Sequence, residues 1–173
     1  MLEIHDMREH LWINPQHTWE DYRKRRSLSD IKLIVVHDTE NNINDIKIAN
    51  ELEIKNTALH PMGLPRIRFH YWINEAGEVY LCNDLENVTW HSHLADKKSL
   101  AVALVGDYDK QEPKKENLKI LEVLLNKLIT ELNLSRKNVF GHGELKLYLN
   151  FTRCPGKNLI KYVKQYRKIG RMV

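Results

Sequence analysis

The hydrophobic and polar positions of the chain fall into blocks that predict strands and helices in turn. Continuous apolar runs rich in β-branched residues, typical of buried strands, occupy residues 31–37 and 99–107. Two further aromatic and β-branched runs flank "NEAG" within residues 68–83, which predicts a hairpin with a tight turn. A short strand running into a loop is predicted at residues 138–142.

Apolar residues at helical spacing predict helices at residues 41–56, 114–133 and 156–168, and a short helix at 18–26. The helix at 114–133 carries one leucine stripe: Leu118, Leu121, Leu125, Leu128 and Leu132. The resulting order is strand, helix, hairpin, strand, helix, strand, helix. This order predicts an α/β fold with a mixed central β-sheet flanked by helices.

The chain of 173 residues has the size of one domain, and it contains no internal repeat or low-complexity linker. Residues 1–30 are polar and irregular, and we expect an N-terminal extension packed on a domain formed by residues 31–173. No apolar run is long enough to cross a bilayer, and "MLEIHDMREHLW" lacks the apolar centre of a signal peptide. The predicted core residues are Leu33, Ile34, Val35, Val36, Ile73, Val79, Leu100, Val102, Leu104, Leu121, Leu125 and Leu128.

The net charge of the chain says little about its partner. The formal net charge is +4, with Lys and Arg concentrated at 22–26, 110–119 and 161–171. A basic chain suits an anionic partner such as nucleic acid, a membrane or a cell-wall polymer, but a solvated basic surface explains the charge equally well. Because no nucleic-acid-binding motif is present, we expect no nucleic-acid partner.

Three residues with metal-binding chemistry follow predicted strands or precede the last helix. His37 ends the first strand, His142 follows the last short strand, and Cys154 lies in the loop before the closing helix. Two imidazoles and one thiolate leave a fourth tetrahedral position for water, as in catalytic zinc sites. The alternative from spacing alone is two hydrogen-bonded surface histidines and a buried thiol.

Five segments of the chain together resemble the zinc-dependent N-acetylmuramoyl-L-alanine amidases, which share a fold with the peptidoglycan recognition proteins. They are "IVVHDT" (34–39), "FHYWINEAGEVY" (69–80), "WHSHLADKKSLAVALVGDY" (90–108), "VFGHGE" (139–144) and "TRCPG" (152–156). The resemblance covers roughly residues 31–160 and is carried by five motifs in the family's order. It implies that His37, His142 and Cys154 hold one catalytic Zn²⁺.

The resemblance also implies helper residues. His91 corresponds to a histidine that lines the substrate groove near the zinc, although Asp96 stands where the family usually has Asn, and Ser99 is kept. The alternative for His91 is a paired surface histidine. Thr152 corresponds to a Lys or Thr that stabilises the oxyanion formed when the carbonyl is attacked.

Two family positions differ in this chain. Many relatives have Tyr where this chain has Phe69, and others have a strand Glu where it has Ala103. By strand alternation Tyr71 is expected on the same face as Phe69, where it supplies the missing hydroxyl or belongs to the core. Asp38, which replaces a second His, is expected to orient a metal ligand.

The predicted function is therefore hydrolysis of the amide between N-acetylmuramic acid and L-alanine in peptidoglycan by a monomer that does not insert stably into membranes. Lacking a signal peptide, it would be made in the cytoplasm and reach the wall during phage or prophage lysis. One alternative is a peptidoglycan-binding protein on the same fold, which Phe69 keeps open. A cytosolic recycling amidase is another, but those relatives usually have Asp as the third ligand and keep the strand Glu, unlike Cys154 and Ala103.

Overall fold

A six-stranded mixed sheet lies at the centre of the computed structural model, which describes residues 2–17, 25–145 and 152–173. Its strands are β1 (Ile4–Asp6), β2 (Leu33–Asp38), β3 (Tyr71–Ile73), β4 (Val79–Leu81), β5 (Ser99–Leu104) and β6 (Val139–Gly141). They lie in the order β1-β4-β3-β5-β2-β6, and only the β3–β4 hairpin is antiparallel. The predicted α/β class with a mixed central sheet is confirmed.

Three α-helices follow at or inside the predicted positions: α1 (Ile46–Ile54), α2 (Lys115–Glu131) and α3 (Lys157–Ile169). Helix α1 begins later than predicted because the Asp45 carboxylate caps it, accepting hydrogen bonds from the Lys47 and Ile48 N–H groups at 2.8 and 3.3 Å. No helix in the described part of the chain is both long and apolar enough to span a membrane.

The sheet separates two apolar clusters. The larger cluster packs the leucines of α2 and the inner face of α3 against β2, β3 and β5. The smaller one, on the other face, joins Leu11, Phe69 and Trp72 to Ile46 of α1. All the predicted core residues are buried except Leu33, which is half-buried at the start of β2. Residues of the small cluster, among them Phe69 and Trp72, line the cavity of the candidate site.

The N-terminal segment contributes a strand that the sequence analysis missed. Strand β1 pairs in parallel with β4, with Ile4 beside Val79. Three residues are too short for an alternation signal, so the segment was predicted to be irregular. The helix predicted at 18–26 lies outside the described residues as far as position 24, and Arg25 and Arg26 are not helical.

Candidate metal centre

Neighbouring strands bring the two histidines side by side. In the parallel pair of β2 and β6, Val36 lies beside Gly141, so the next residues, His37 and His142, leave the same edge of the sheet together. Their ring centroids are 4.7 Å apart. The β2–β6 register therefore places two of the three predicted metal ligands.

The loop before α3 supplies the third ligand. Gly143 donates its N–H to the Cys154 carbonyl at 2.6 Å. A Cβ at Gly143 would lie 2.8 Å from the Thr152 carbonyl oxygen, so this close approach of two backbones requires glycine. The contact holds Cys154 directly against the residue that follows His142.

The three ligand atoms form a compact donor set. The candidate donor atoms of His37, His142 and Cys154 all lie within 4.8 Å of one another, and His37 Nδ1 lies 3.4 Å from Cys154 Sγ. Tetrahedral zinc, with bonds of about 2.0–2.3 Å, separates its ligand atoms by about 3.3–3.6 Å. The His37–Cys154 separation lies in this range, and the chemistry of the whole set, two imidazoles and a thiol within 4.8 Å, is that of a zinc site.

Burial sets the protonation of these groups. It lowers the pKa of His37 well below its usual value, and the neighbouring His142 and His91 add to the effect. Burial, followed by the positive charge of Arg68, lowers the pKa of His142 to about 4. Burial also raises the pKa of the Cys154 thiol well above its usual value. Both imidazoles are thus neutral ligands at neutral pH, while a thiolate at Cys154 needs a cation beside it.

His91 is held behind His37. Its side chain has no exposed surface, its Nδ1 lies 3.0 Å from His37 Nε2, and its Nε2 lies 3.2 Å from Ser99 Oγ. The Ser99 hydroxyl donates to the Ala95 carbonyl at 2.7 Å. Both ring nitrogens of His91 therefore face protein groups. The alternative interpretation of His91, as a paired histidine on the surface, is wrong because the side chain is buried.

Asp96 fixes the loop that carries His91. One of its carboxylate oxygens accepts hydrogen bonds from the His91 and Ser92 N–H groups at 3.1 and 2.6 Å and from the Ser92 hydroxyl at 3.2 Å. All three bonds end on the same oxygen, and the side-chain oxygen of Asn is also an acceptor, so Asp96 can take the place of the Asn that is usual in the amidases that the sequence resembles.

The Thr152 side chain lies beside the candidate ligands. It lines the cavity that also contains the three candidate ligands, and its Oγ1 accepts the Cys154 N–H at 3.1 Å. Because this bond uses a lone pair, the hydroxyl proton remains free to donate to a ligand in the cavity.

The prediction that Tyr71 shares a face with Phe69 is wrong. The backbone bends at His70, so Phe69 and Trp72 belong to the small cluster while Tyr71 lies in the large cluster on the opposite face. Burial raises the Tyr71 pKa to about 12. Tyr71 is a core residue and supplies no hydroxyl to the site.

Phe69 and Ala103 form an apolar wall beside His37. The Phe69 ring centroid is 5.3 Å from that of His37, and Ala103 is the residue paired with His37 across β2 and β5. The positions that carry Tyr or Glu in relatives thus bring no polar group to this wall.

Asp38 and Arg68 add charge to the cavity. One Asp38 carboxylate oxygen accepts the Tyr108 N–H at 3.3 Å, and the Asp38 carboxyl also interacts with the buried Cys154 thiol. Arg68 and Glu53 line the other part of the cavity, which has a volume of about 190 Å³. Sequence analysis missed Arg68 and Glu53 because 15 positions separate them and no spacing rule joins them.

Comparisons with known proteins agree with this architecture. A sequence model described as N-acetylmuramoyl-L-alanine amidase matches residues 27–157. No curated protein sequence matches the chain.

Solved structures provide the fold comparison. The amidase LysC from Clostridium intestinale URNW is 16% identical, with a TM-score of 0.73 and coverage of 99% of both chains. The Ph2119 endolysin from Thermus scotoductus MAT2119 bacteriophage Ph2119 is 19% identical, with a TM-score of 0.71 over 94% of this chain and 97% of that one. The peptidoglycan recognition protein PGRP-SA of Apis mellifera is 16% identical, with a TM-score of 0.74 over 95% and 96%. With the family match spanning most of the chain and the predicted ligand triad assembled, the chain belongs to the N-acetylmuramoyl-L-alanine amidase family.

Proposed function

We propose that this protein is a zinc-dependent amidase that hydrolyses the bond between N-acetylmuramic acid and L-alanine in peptidoglycan. The observation that carries the proposal is the meeting of His37, His142 and Cys154 in one cavity, with donor separations that suit zinc. Residues 31–173 would form the catalytic domain, and residues 1–30 an extension that adds β1 to its sheet.

The chain's own residues would bind and orient the substrate. Zinc, held by His37, His142 and Cys154, would supply an acidified water and a Lewis acid for the scissile carbonyl. The Thr152 hydroxyl would donate a hydrogen bond to the developing oxyanion, since its proton makes no hydrogen bond to any of the residues that the structure describes. His91, which also belongs to the cavity lining, would act as a positioning residue, because both of its ring nitrogens face protein groups, His37 Nε2 and Ser99 Oγ.

Phe69 favours one second candidate, a peptidoglycan-binding protein with little hydrolysis. Its ring lies against His37 at a position where a hydroxyl assists the reaction in many relatives, and Ala103 supplies no substitute. This candidate shares the metal centre and the groove with the first. The two differ in turnover alone.

Two of the fold neighbours are named as endolysins, and these names support a proposal for the biological setting. We propose a monomer that acts on the bacterial wall during phage or prophage lysis, with the net charge of +4 favouring an anionic wall.

The test combines zinc content with loss of turbidity of purified sacculi. We expect one zinc per chain and clearing by the wild type, and neither in Cys154→Ala. The matched control is Cys82→Ala, which removes the other buried thiol from the small cluster and is expected to keep the zinc. Zinc without clearing would favour the binding protein, and absence of zinc would overturn the proposal.

A further inference from the structure

Arg68 brings the only lysine or arginine side chain to the described lining of the metal-site cavity. The other charged groups there are carboxylates, with Asp38 and Glu40 beside the Cys154 ligand and Glu53 next to Arg68. The Arg68 guanidinium carbon lies 5.9 Å from the centroid of the Phe69 ring, and that ring centroid is 5.3 Å from the His37 ring centroid, so the charge of Arg68 lies near the metal centre. The cavity therefore has one cationic position for an anionic group of the substrate.

The backbone on both sides of Arg68 is pinned. The Asn50 side-chain oxygen accepts the Ile67 N–H at 2.8 Å. The Asn83 amide donates to the Ile67 and Phe69 carbonyls, both at 2.7 Å. Because these bonds are buried, Arg68 projects from a fixed support, as a residue that determines specificity requires.

Glu53 of α1 orients the guanidinium while leaving one edge available. Arg68 Nε lies 3.1 and 3.0 Å from the two carboxylate oxygens, and its Nη2 lies 2.7 Å from one of them. Arg68 Nη1 makes no hydrogen bond with any residue in the described ranges. The side chain is three-quarters buried and belongs to the cavity lining, which leaves Nη1 as the guanidinium nitrogen available to a ligand there.

Another arginine of this chain shows what such a donor accepts. Arg8 is held side-on by Asp6, with Nε and Nη2 bonds of 2.9 and 2.6 Å, and its Nη1 binds a second carboxylate, Asp84, at 2.7 Å. Arg68 with Glu53 repeats the first half of this arrangement. A guanidinium between two carboxylates is a stable arrangement. Arg68 has the first carboxylate, that of Glu53, and its Nη1 is the position where a second one would bind.

We propose that Arg68 Nη1 binds a free carboxylate of the stem peptide, making the protein selective for acidic over amidated stems. Arg68 lines the same cavity as His37, His142 and Cys154, so a carboxylate that it binds must lie close to the scissile bond. The residue after L-alanine meets this condition, since its α-carboxyl group occurs free or as the amide. This inference rests on the proposed amidase function and specifies its substrate.

The experiment compares two compounds that differ only in this group: N-acetylmuramoyl-L-alanyl-γ-D-glutamyl-L-lysinamide and N-acetylmuramoyl-L-alanyl-D-isoglutaminyl-L-lysinamide. In both, the γ-carboxyl group is in peptide linkage and the C-terminus is an amide, so the α-carboxylate of the first compound is its only free stem carboxylate. We expect zinc-loaded wild-type protein to prefer the acid in kcat/KM by about 10- to 100-fold, the usual effect of one charged hydrogen bond. Arg68→Gln should lose this preference by losing turnover of the acid alone. The charge control, Arg25→Gln, changes an exposed arginine outside this cavity and should keep the preference.

Equal turnover of both compounds by the wild type would overturn the proposal without any variant. Equal losses for both compounds in Arg68→Gln would also overturn it, indicating an oxyanion or structural role instead. If Arg68→Gln does not fold, Arg68→Lys provides the test, since it keeps the charge without the guanidinium edge. If the wild type cleaves neither compound, the amidase proposal fails and calorimetric dissociation constants decide this one: tighter binding of the acid supports it, and equal binding overturns it.

Discussion

His37 Nε2 lies 3.0 Å from His91 Nδ1, and this contact fixes which nitrogen of His37 faces a metal. The Ser99 proton is committed to the Ala95 carbonyl, so His91 Nε2 must donate to Ser99 Oγ. His91 Nδ1 is then an acceptor, and His37 Nε2 carries the proton that it accepts. The lone pair of His37 Nδ1 is left facing Cys154 Sγ, where a metal ligand is needed.

Replacing His91 with Phe should weaken zinc binding about 10- to 100-fold, because the tautomer and ring orientation of His37 would no longer be fixed. Competition with a chromophoric chelator measures the affinity. His93→Asn is the matched control, since His93 is exposed in the same loop and its φ of 58° suits Asn. Unchanged zinc affinity with reduced turnover would instead indicate that His91 contacts substrate.

Phe69→Tyr should raise kcat on sacculi by roughly tenfold or more, because a hydroxyl would then stand beside His37. Tyr71→Phe should leave kcat unchanged, since Tyr71 belongs to the cluster on the opposite face of the sheet. Zinc content measured in parallel separates an effect on chemistry from one on metal binding. A fall in kcat in Tyr71→Phe at full zinc occupancy would contradict the placement of this residue.

The three candidate metal ligands were predictable because each lies next to a strand or helix with a clear hydrophobic pattern. His37 closes a continuous apolar strand, His142 follows a short one, and Cys154 precedes an amphipathic helix, so each position follows from neighbouring residues. Chemistry then selected the same triad that the structure assembles.

The missed parts depend on geometry that no local pattern encodes. The bend at His70 reverses the face expected for Tyr71, because alternation assumes an unbroken strand. The Arg68–Glu53 pair requires the relative placement of helix α1 and the segment before β3, which only the tertiary packing defines.

Arg26→Gln should lower the free energy of unfolding by about 2–4 kcal/mol, or roughly 5–15 °C in Tm. The buried Arg26 guanidinium donates to three backbone carbonyls, those of Leu85, Asp96 and Ser99. Without it these carbonyls lose charged donors, and the loop that carries His91 loses its attachment to the N-terminal segment. Urea unfolding followed by circular dichroism measures the change.

The adjacent Arg25→Gln is the control for this measurement. Arg25 is about half exposed and its ion pairs are with Asp84 and Glu86 at the surface. Such pairs contribute little, so we expect a change within about 0.5 kcal/mol. Similar losses in the two variants would mean that the charge, rather than the carbonyl contacts, stabilises this region.

His70 should make the fold sensitive to acid. The Ala101 N–H donates to its Nδ1 at 3.1 Å, so its Nε2 carries the proton and donates to the Asn87 carbonyl at 2.9 Å. Arg26 Nη2, which is also a donor, lies 3.1 Å from the same Nε2 and therefore opposes a positive charge on the ring. Burial, followed by the nearby charge of Arg26, lowers the pKa of His70 to about 3. Above the unfolded pKa of about 6.5 both states are neutral. As the pH falls from 6.5 towards 3, His70 binds a proton in the unfolded chain but stays neutral in the native protein. The free energy of unfolding therefore decreases over this range.

His70→Asn isolates this effect from the other buried histidines, because its side-chain oxygen can still accept the Ala101 N–H but cannot titrate. We expect the variant to be less stable than the wild type at pH 8, where it lacks the bond to Asn87. Between pH 6.5 and 4.5 the difference should change in the variant's favour by about 2–3 kcal/mol, measured by urea unfolding at each pH. Parallel stability curves would show that native His70 takes up its proton as readily as the unfolded chain, and would contradict its assignment as a buried neutral acceptor.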